Sequence, residues 1–285
     1  MKSFYVVTPV LNAATLIGQT MQSVLSQAQL LKEDFEIFYC VMDGGSDDDT
    51  VKIIQEFIKN NNSIANIHIE YVSQKDAGMY DAIASGFFRY RITDDAICCY
   101  INAGDYFSPY AFSVVSDLIS EENQWLTGLS VSYNEIGHID YVFTPRAYSN
   151  RLTYVGFNGR FGLPHIQQES TFWRGNMMHL IDFEKLRQMK FAGDAFIWSC
   201  FSKNSRLQIV RCWLAGFRKH HGQASKVYAD RYREERYQNL PRPSIKDYLS
   251  IPFYWIVNNV TLRRFGLLER DAFRYCDDTK TYRRL

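Results

Sequence analysis

An excess of charge of either sign is missing from this sequence: Lys plus Arg total 32 against 31 for Asp plus Glu, a net of +1 over 285 residues. The whole-chain balance gives a polyanion nothing to hold, so no nucleic acid is expected as partner. Cysteine is present only six times, as Cys40, Cys98, Cys99, Cys200, Cys212 and Cys276, without a C-x-x-C pair. That argues against zinc and against a disulfide framework, and for buried thiols in a reducing compartment. The longest apolar stretch near the C-terminus, "YLSIPFYWIVNNVTLRRFGLL", is interrupted by Pro252, Asn258 and Asn259 and is too short to span a bilayer. The opening "MKSFYVVTPV" has neither the apolar run nor the cleavage site of a signal peptide, so a cytoplasmic location is expected. Two nucleotide grips are also missing. After the first apolar run the first glycine is Gly18, inside a helical pattern, which disfavours a dinucleotide-binding loop, and no Gly-Lys-Ser/Thr phosphate loop occurs.

Apolar material is plentiful at 46% of residues, enough for a sizeable core. Over the first hundred residues it alternates between two periods. "FYVVTPV", "FEIFYCVMD", "NIHIEYV" and "AICCYIN" are strand-like runs. Between them lie "TLIGQTMQSVLSQ", with Leu16, Met21, Val24 and Leu25 at helical spacing, then "TVKIIQEFIK", with Val51, Ile54 and Ile58 on one face, then "MYDAIASGFFRY". Repeated β-α-β with nearly continuous apolar strands predicts an α/β fold with a mostly parallel, Rossmann-like sheet covered by helices on both faces. From Trp125 the pattern changes to alternating, antiparallel-like strands. "GDAFIWSCFSK" then reads as a helix capped at Gly193 or Asp194.

Ligands of such sheets bind beyond the carboxyl ends of the strands. Those ends are Thr8 and Pro9, Asp43, Ser73 to Asp76, and Asn102 to Asp105, so three of the four carry a carboxylate. Acids gathered on one rim repel unless a cation lies among them, and a divalent ion neutralising a diphosphate needs only one or two protein carboxylates. Each acid also has a plain reading, because Asp shapes turns and caps helices.

In order and spacing, "TPVLNAATLIGQTMQSVLSQ", "VMDGGSDDDTVKII", "SQKDAGMYDAIASGF" and "INAGDYFSP" resemble the nucleotide-binding half of family 2 glycosyltransferases of the GT-A fold, the bacterial surface-polysaccharide type. "HIQQESTFWRG", "FAGDAFIWSCF" and "HHGQAS" resemble the acceptor half more loosely. The resemblance implies that Thr8 and Pro9 border the base, that Asp43 meets the base or ribose, and that Asp76 and Asp81 lie along the nucleoside and sugar, with Asn102 also on the donor side. Asp105 would hold Mg2+ or Mn2+, with His221 as a second candidate ligand. Gly104 stands where many relatives carry another Asp, and "IASG" replaces their Asn-Lys-Gly. Glu169 and Ser170 would line the acceptor side, and Asp194 would be the catalytic base. Trp173, Trp198 and Trp213 read either as sugar-stacking residues or as core.

The implied activity is an inverting transfer of a hexosyl or N-acetylhexosaminyl group from a nucleotide donor, a UDP-sugar, to a polysaccharide or lipid-linked oligosaccharide. The rival is a catalytically silent nucleotide-binding or scaffold protein of polysaccharide assembly, suggested by Gly104 and the absent lysine. Residues 1–122 are expected to form the donor half, 123–225 the acceptor half of the same domain, and 226–285 a helical C-terminal extension. In that extension "RYREERYQNLPRPSIKDYL" mixes arginine with aromatics and leucine, which suits a peripheral contact at the inner face of the cell membrane as well as a solvated or self-associating surface.

Overall fold

The computed structural model describes residues 2–31, 34–219, 227–259 and 272–284. It opens with β1 (Lys2–Val10), α1 (Ile17–Leu30), β2 (Phe35–Asp43), α2 (Thr50–Asn61), β3 (Ile67–Ser73), α3 (Met79–Phe88) and β4 (Ile97–Tyr100). The pairs β1–β2, β2–β3 and β1–β4 are all parallel. β1 lies between two neighbours and is buried continuously from Phe4 to Val10, whereas β3 closes one edge of the sheet and is partly exposed along its length.

Successive β1 side chains serve opposite faces, as the period of a strand requires. Phe4 and Val6 pack with Ile17, Met21 and Val24 of α1 and Ile54 of α2, while Tyr5 and Val7 pack with Ile83 and Phe87 of α3. Helices thus cover both faces, as the sequence predicts.

The chain continues through β5 (Tyr106–Phe107), α4 (Ala111–Leu118), β6 (Trp125–Thr127), β7 (Ser130–Tyr133), β8 (Ile139–Phe143), α5 (Asn150–Tyr154) and β9 (Thr171–Arg174). α6 (Phe183–Gln188), α7 (Gly193–Ser202), β10 (Gln208–Val210) and β11 (Ala215–Arg218) follow. β9 runs antiparallel to both β4 and β6 and joins the two halves into one sheet. Among the described residues that sheet has nine strands, and a smaller one of order β5-β11-β7-β8 stands beside it. Trp173 and Trp198 are buried in the core, which settles their plain reading; Trp213, half-buried, donates to Tyr133 Oη at 2.7 Å.

The expected C-terminal helices are α8 (Ala229–Asn239) and α9 (Ile245–Asn259). The described chain does not end as helix, however. β12 (Ala272–Cys276) and β13 (Thr281–Arg284) form an antiparallel hairpin that adds to the main sheet beside β10. Ala272 and Phe273 are buried there, so an apolar sheet edge is covered where local sequence suggested only a tail.

Candidate active site

The carboxyl ends of β1, β2 and β3 are level, with Val10 opposite Asp43 and Asp43 opposite Ser73. The loops leaving them are tied together: Asn12 N–H donates to Ser46 Oγ at 2.8 Å, Asp47 N–H to Asn12 Oδ1 at 3.0 Å, and Ala14 N–H to Asp48 Oδ2 at 3.1 Å. Asp43 is buried, and its carboxylate takes hydrogen bonds from Gly45 N–H, Ser46 N–H, Ser46 Oγ and Ser73 Oγ. It therefore shapes the Asp-Gly-Gly-Ser turn in full. Asp76 lies against Gly44, where a Cβ would come 2.9 Å from Asp76 Oδ2, so a larger residue would displace the Asp76 carboxylate. Thr8 and Pro9 are buried at the end of β1, and Thr8 Oγ1 accepts from Tyr39 Oη at 3.0 Å. Asp81 sits in the first turn of α3 and is paired with Arg187 of α6 at 3.0 Å, its other oxygen accepting from Ala77 N–H.

Beyond β4 the chain makes the turn that carries Asp105. Gly104 has φ +108°, a conformation that side chains rarely adopt, and its N–H donates to Thr20 Oγ1, which in turn donates to Asp105 O. This turn geometry is a physical reason for glycine where relatives carry an acid. Asp105 is buried and accepts from Arg218 N–H of β11 at 2.8 Å. Burial first, and then the neighbouring Glu169 carboxylate, push Asp105 well above the ordinary carboxylate range. Glu169, on a short 3-10 turn leading into β9, is also raised, chiefly by burial, with Asp194 adding to it against the hydrogen bond from Gln167. Asn102 Nδ2 donates to Gln168 Oε1 at 3.3 Å, while Asn102 Oδ1 is buried without a hydrogen-bond partner. Ser170 is fully buried, and its hydroxyl donates to Ala215 O at 3.0 Å.

Asp194 lies in the first turn of α7, buried, with its Oδ1 accepting from Ala195 N–H at 2.7 Å. The helix cap is Ala192, not Gly193 or Asp194. Capping is done from another element: Glu235 of α8 accepts from Phe191 N–H and Ala192 N–H at 2.8 and 2.7 Å, and from Lys190 N–H. A carboxylate there meets the positive end of the helix dipole, while Asp194 itself serves the first-turn N–H of Ala195. Tyr232 Oη, also on α8, lies 3.0 and 3.3 Å from the two Asp194 oxygens, while Tyr80 Oη of α3 donates to Phe191 O at 3.2 Å and lies 3.5 Å from Asp194 Oδ1. Burial first and Asp194 second raise both phenols, so they remain protonated donors. Beside them Thr153, Asn158, His165, Trp198, Tyr232 and Arg236 line a small cavity.

The structure thus brings Asn102, Asp105, Glu169 and Asp194 into one electrostatic group, with Thr8, Pro9 and Asp43 at the carboxyl ends of β1 and β2 and Asp76 in the loop after β3. Asp81 and Ser170 are engaged with Arg187 and with Ala215. His221 lies outside the described residues. Tyr232, Glu235 and Arg236 escape a reading by motif; their spacing of three and four places them on one face of α8, which was the available signal. Among the described residues no cluster of three or more His, Cys, Asp or Glu is arranged around a metal position. The donor set nevertheless suits Mg2+ or Mn2+, which prefer oxygen and complete their shells with water and phosphate. The buried Glu169 carboxylate raises the proton affinity of Asp105, and the Asn102 oxygen, without a hydrogen-bond partner, is on the same turn.

The sequence model described as Glycosyl transferase family 2 matches residues 5–168. No curated protein sequence matches the chain significantly. Among solved structures, the chain is similar to TarS of S. aureus in complex with UDP, at 14% identity and TM-score 0.57, over 89% of this chain and 70% of that one. It is also similar to the mannosyltransferase PcManGT of Pyrobaculum calidifontis, in complex with GDP-Man and Mn2+, at 12% identity and TM-score 0.54, over 90% of this chain and 72% of the other. A third, GalNAc-T7 with UDP, GalNAc and Mn2+, has 15% identity and TM-score 0.53, over 91% and 56% of the two chains.

Proposed function

Because the chain belongs to glycosyl transferase family 2, we propose that it is an inverting transferase moving a hexosyl or N-acetylhexosaminyl group from a UDP-sugar to a growing polysaccharide or lipid-linked oligosaccharide, at the inner face of the cell membrane. The observation that carries this reading is the buried Asp194 carboxylate, held by the Tyr232 hydroxyl in the same acidic group as Asp105 and Glu169. Thr8, Pro9, Asp43 and Asp76 form the nucleoside side, and Asp81 with Asn102 the approach to the sugar.

Inversion requires the acceptor oxygen to attack the anomeric carbon as the bond to the diphosphate breaks. Asp194 takes the proton of the attacking hydroxyl, and the electron pair of the broken bond leaves with the nucleoside diphosphate. Tyr232 orients the carboxylate for that transfer. Glu169 and Ser170 stand on the acceptor side, Ser170 through the backbone it anchors. Asp105 and the Asn102 oxygen would hold the divalent ion, with His221 as a further candidate ligand. When bound, that ion supplies positive charge to the leaving diphosphate.

Asp194→Asn tests the assignment. The amide keeps the shape and can still accept hydrogen bonds, but cannot take up the hydroxyl proton as a carboxylate does. Turnover should fall on the order of a hundredfold or more, with UDP affinity nearly unchanged. An Asn variant that retains most of its activity would move the base elsewhere, to Glu169 first. Nucleotide binding without release of UDP from any UDP-sugar would favour the silent scaffold.

A further inference from the structure

α9 carries a second apolar face, turned outward. A helix on a protein surface normally buries its apolar stripe and exposes its polar one. Here the centre of the exposed arc is Ile245, Leu249, Pro252 and Ile256, spaced by four, three and four, with Phe253 on one flank and Tyr248 and Trp255 on the other. Ile245 is 79% and Leu249 74% exposed. The buried side carries Asp247 and Asn258 beside Val257, with Ile251 and Tyr254 packed on the Leu152–Phe157 cluster.

Those two polar residues fix the orientation. Asp247 makes a two-pronged pair with Arg151 at 2.8 Å and accepts from Ser244 N–H and Oγ. The Asn258 amide accepts from Arg146 N–H and donates to Ala147 O. Rolling the helix to hide Ile245 and Leu249 would break the bonds to Arg151, Arg146 and Ala147. The Asn158–Gly162 turn extends the apolar surface: Phe161 is exposed, a Cβ on Gly162 would meet the Trp255 ring, and Asn259 donates to Gly162 O.

Among the described residues, the exposed charges of α9 and of the two segments beside it, 240–244 and 158–162, are basic. Arg242 and Lys246 are exposed, Arg160 stacks over Phe161 at 4.8 Å, and the single acid of α9, Asp247, is buried. A second copy of the chain would bring cations against cations. An anionic phospholipid surface instead offers headgroups to the cations and acyl chains to the apolar arc, with Tyr248 and Trp255 suited to the boundary between them. Among the described residues no helix is long and apolar enough to cross a membrane, so the contact is one of lying on the surface.

We propose that the exposed arc of α9, with Phe161 beside it, docks this protein on the interface of an anionic bilayer. The proposal rests on the membrane-side part of the function above and is independent of donor and acceptor. Co-sedimentation of the whole chain with vesicles of phosphatidylcholine containing roughly 30% phosphatidylglycerol tests it. Binding should weaken with added salt and on pure phosphatidylcholine. The double variant Leu249→Glu, Ile256→Glu alters only exposed positions, and thermal unfolding and UDP binding should match the wild type. It should bind the anionic vesicles about tenfold or more weakly. Wild-type protein that ignores the vesicles, a double variant that binds them equally well, or a dimer in solution that the double variant splits, overturns the proposal. Vesicle binding without sugar transfer would instead count against the transferase reading alone.

Discussion

Asp105 and Glu169 place two acids in one buried site, and this has a pH signature. Both carboxyls are raised in the folded protein, so the native state retains protons that the unfolded chain has released. Their contribution to stability is complete below the ordinary carboxylate values near ~4 and is lost as pH rises through the folded values. Urea unfolding of the nucleotide-free protein should therefore show falling stability from about pH 5 to about pH 8, and Asp105→Asn should flatten that fall. Divalent ion with UDP should restore stability at the upper end in the wild type and do much less in the variant. A wild type whose stability rises over that range would show that the pair does not govern it. The acids of the rim were legible as residues, because carboxylates at strand ends stand out from apolar strands. Their partners were not: the Asp81 cation, Arg187, is supplied from a distant helix by tertiary packing.

α8 looks solvent-facing in sequence, since "ADRYREERYQN" is polar all round and Arg236 is its one buried residue. In the fold it is the brace of α7. Tyr232 and Glu235 act on Asp194 and on the start of that helix respectively, and their effects should separate. Glu235→Gln leaves three N–H donors without a charge partner and should cost about 1 to 2 kcal/mol in chemical denaturation, with modest loss of activity. Tyr232→Phe should cost about 1 kcal/mol yet lower kcat roughly tenfold at unchanged KM for the donor, because the carboxylate loses its orientation. If Tyr232→Phe instead raised KM with kcat intact, the hydroxyl would be a substrate contact and not a positioning group. The same logic explains the helix cap. An Asp at the start of an apolar run is a good capping signal; in the fold Asp194 lies within the first turn, and Glu235 from α8 serves the N–H groups just ahead of it.

For the whole molecule, the alternating half up to Tyr100 was readable because long elements with clear periods carry their own signal. β9 was not, being four residues long, and neither was the C-terminal hairpin, whose burial depends on the sheet edge that receives it. A fragment of residues 1–122, the proposed donor half, should accordingly be poorly soluble on expression, because β4 would present an unpaired edge. A soluble, monomeric fragment that binds UDP would show that this half stands alone. The same strand sets a timetable for the ribosome. β4 gains its second neighbour only after Arg174 has left the exit tunnel, and Glu169 arrives immediately ahead of that strand. Nascent chains must therefore carry a sticky sheet edge through some seventy residues of synthesis, several seconds at roughly 5 to 20 residues per second, and closing that edge is the same event that delivers Glu169 to Asp105.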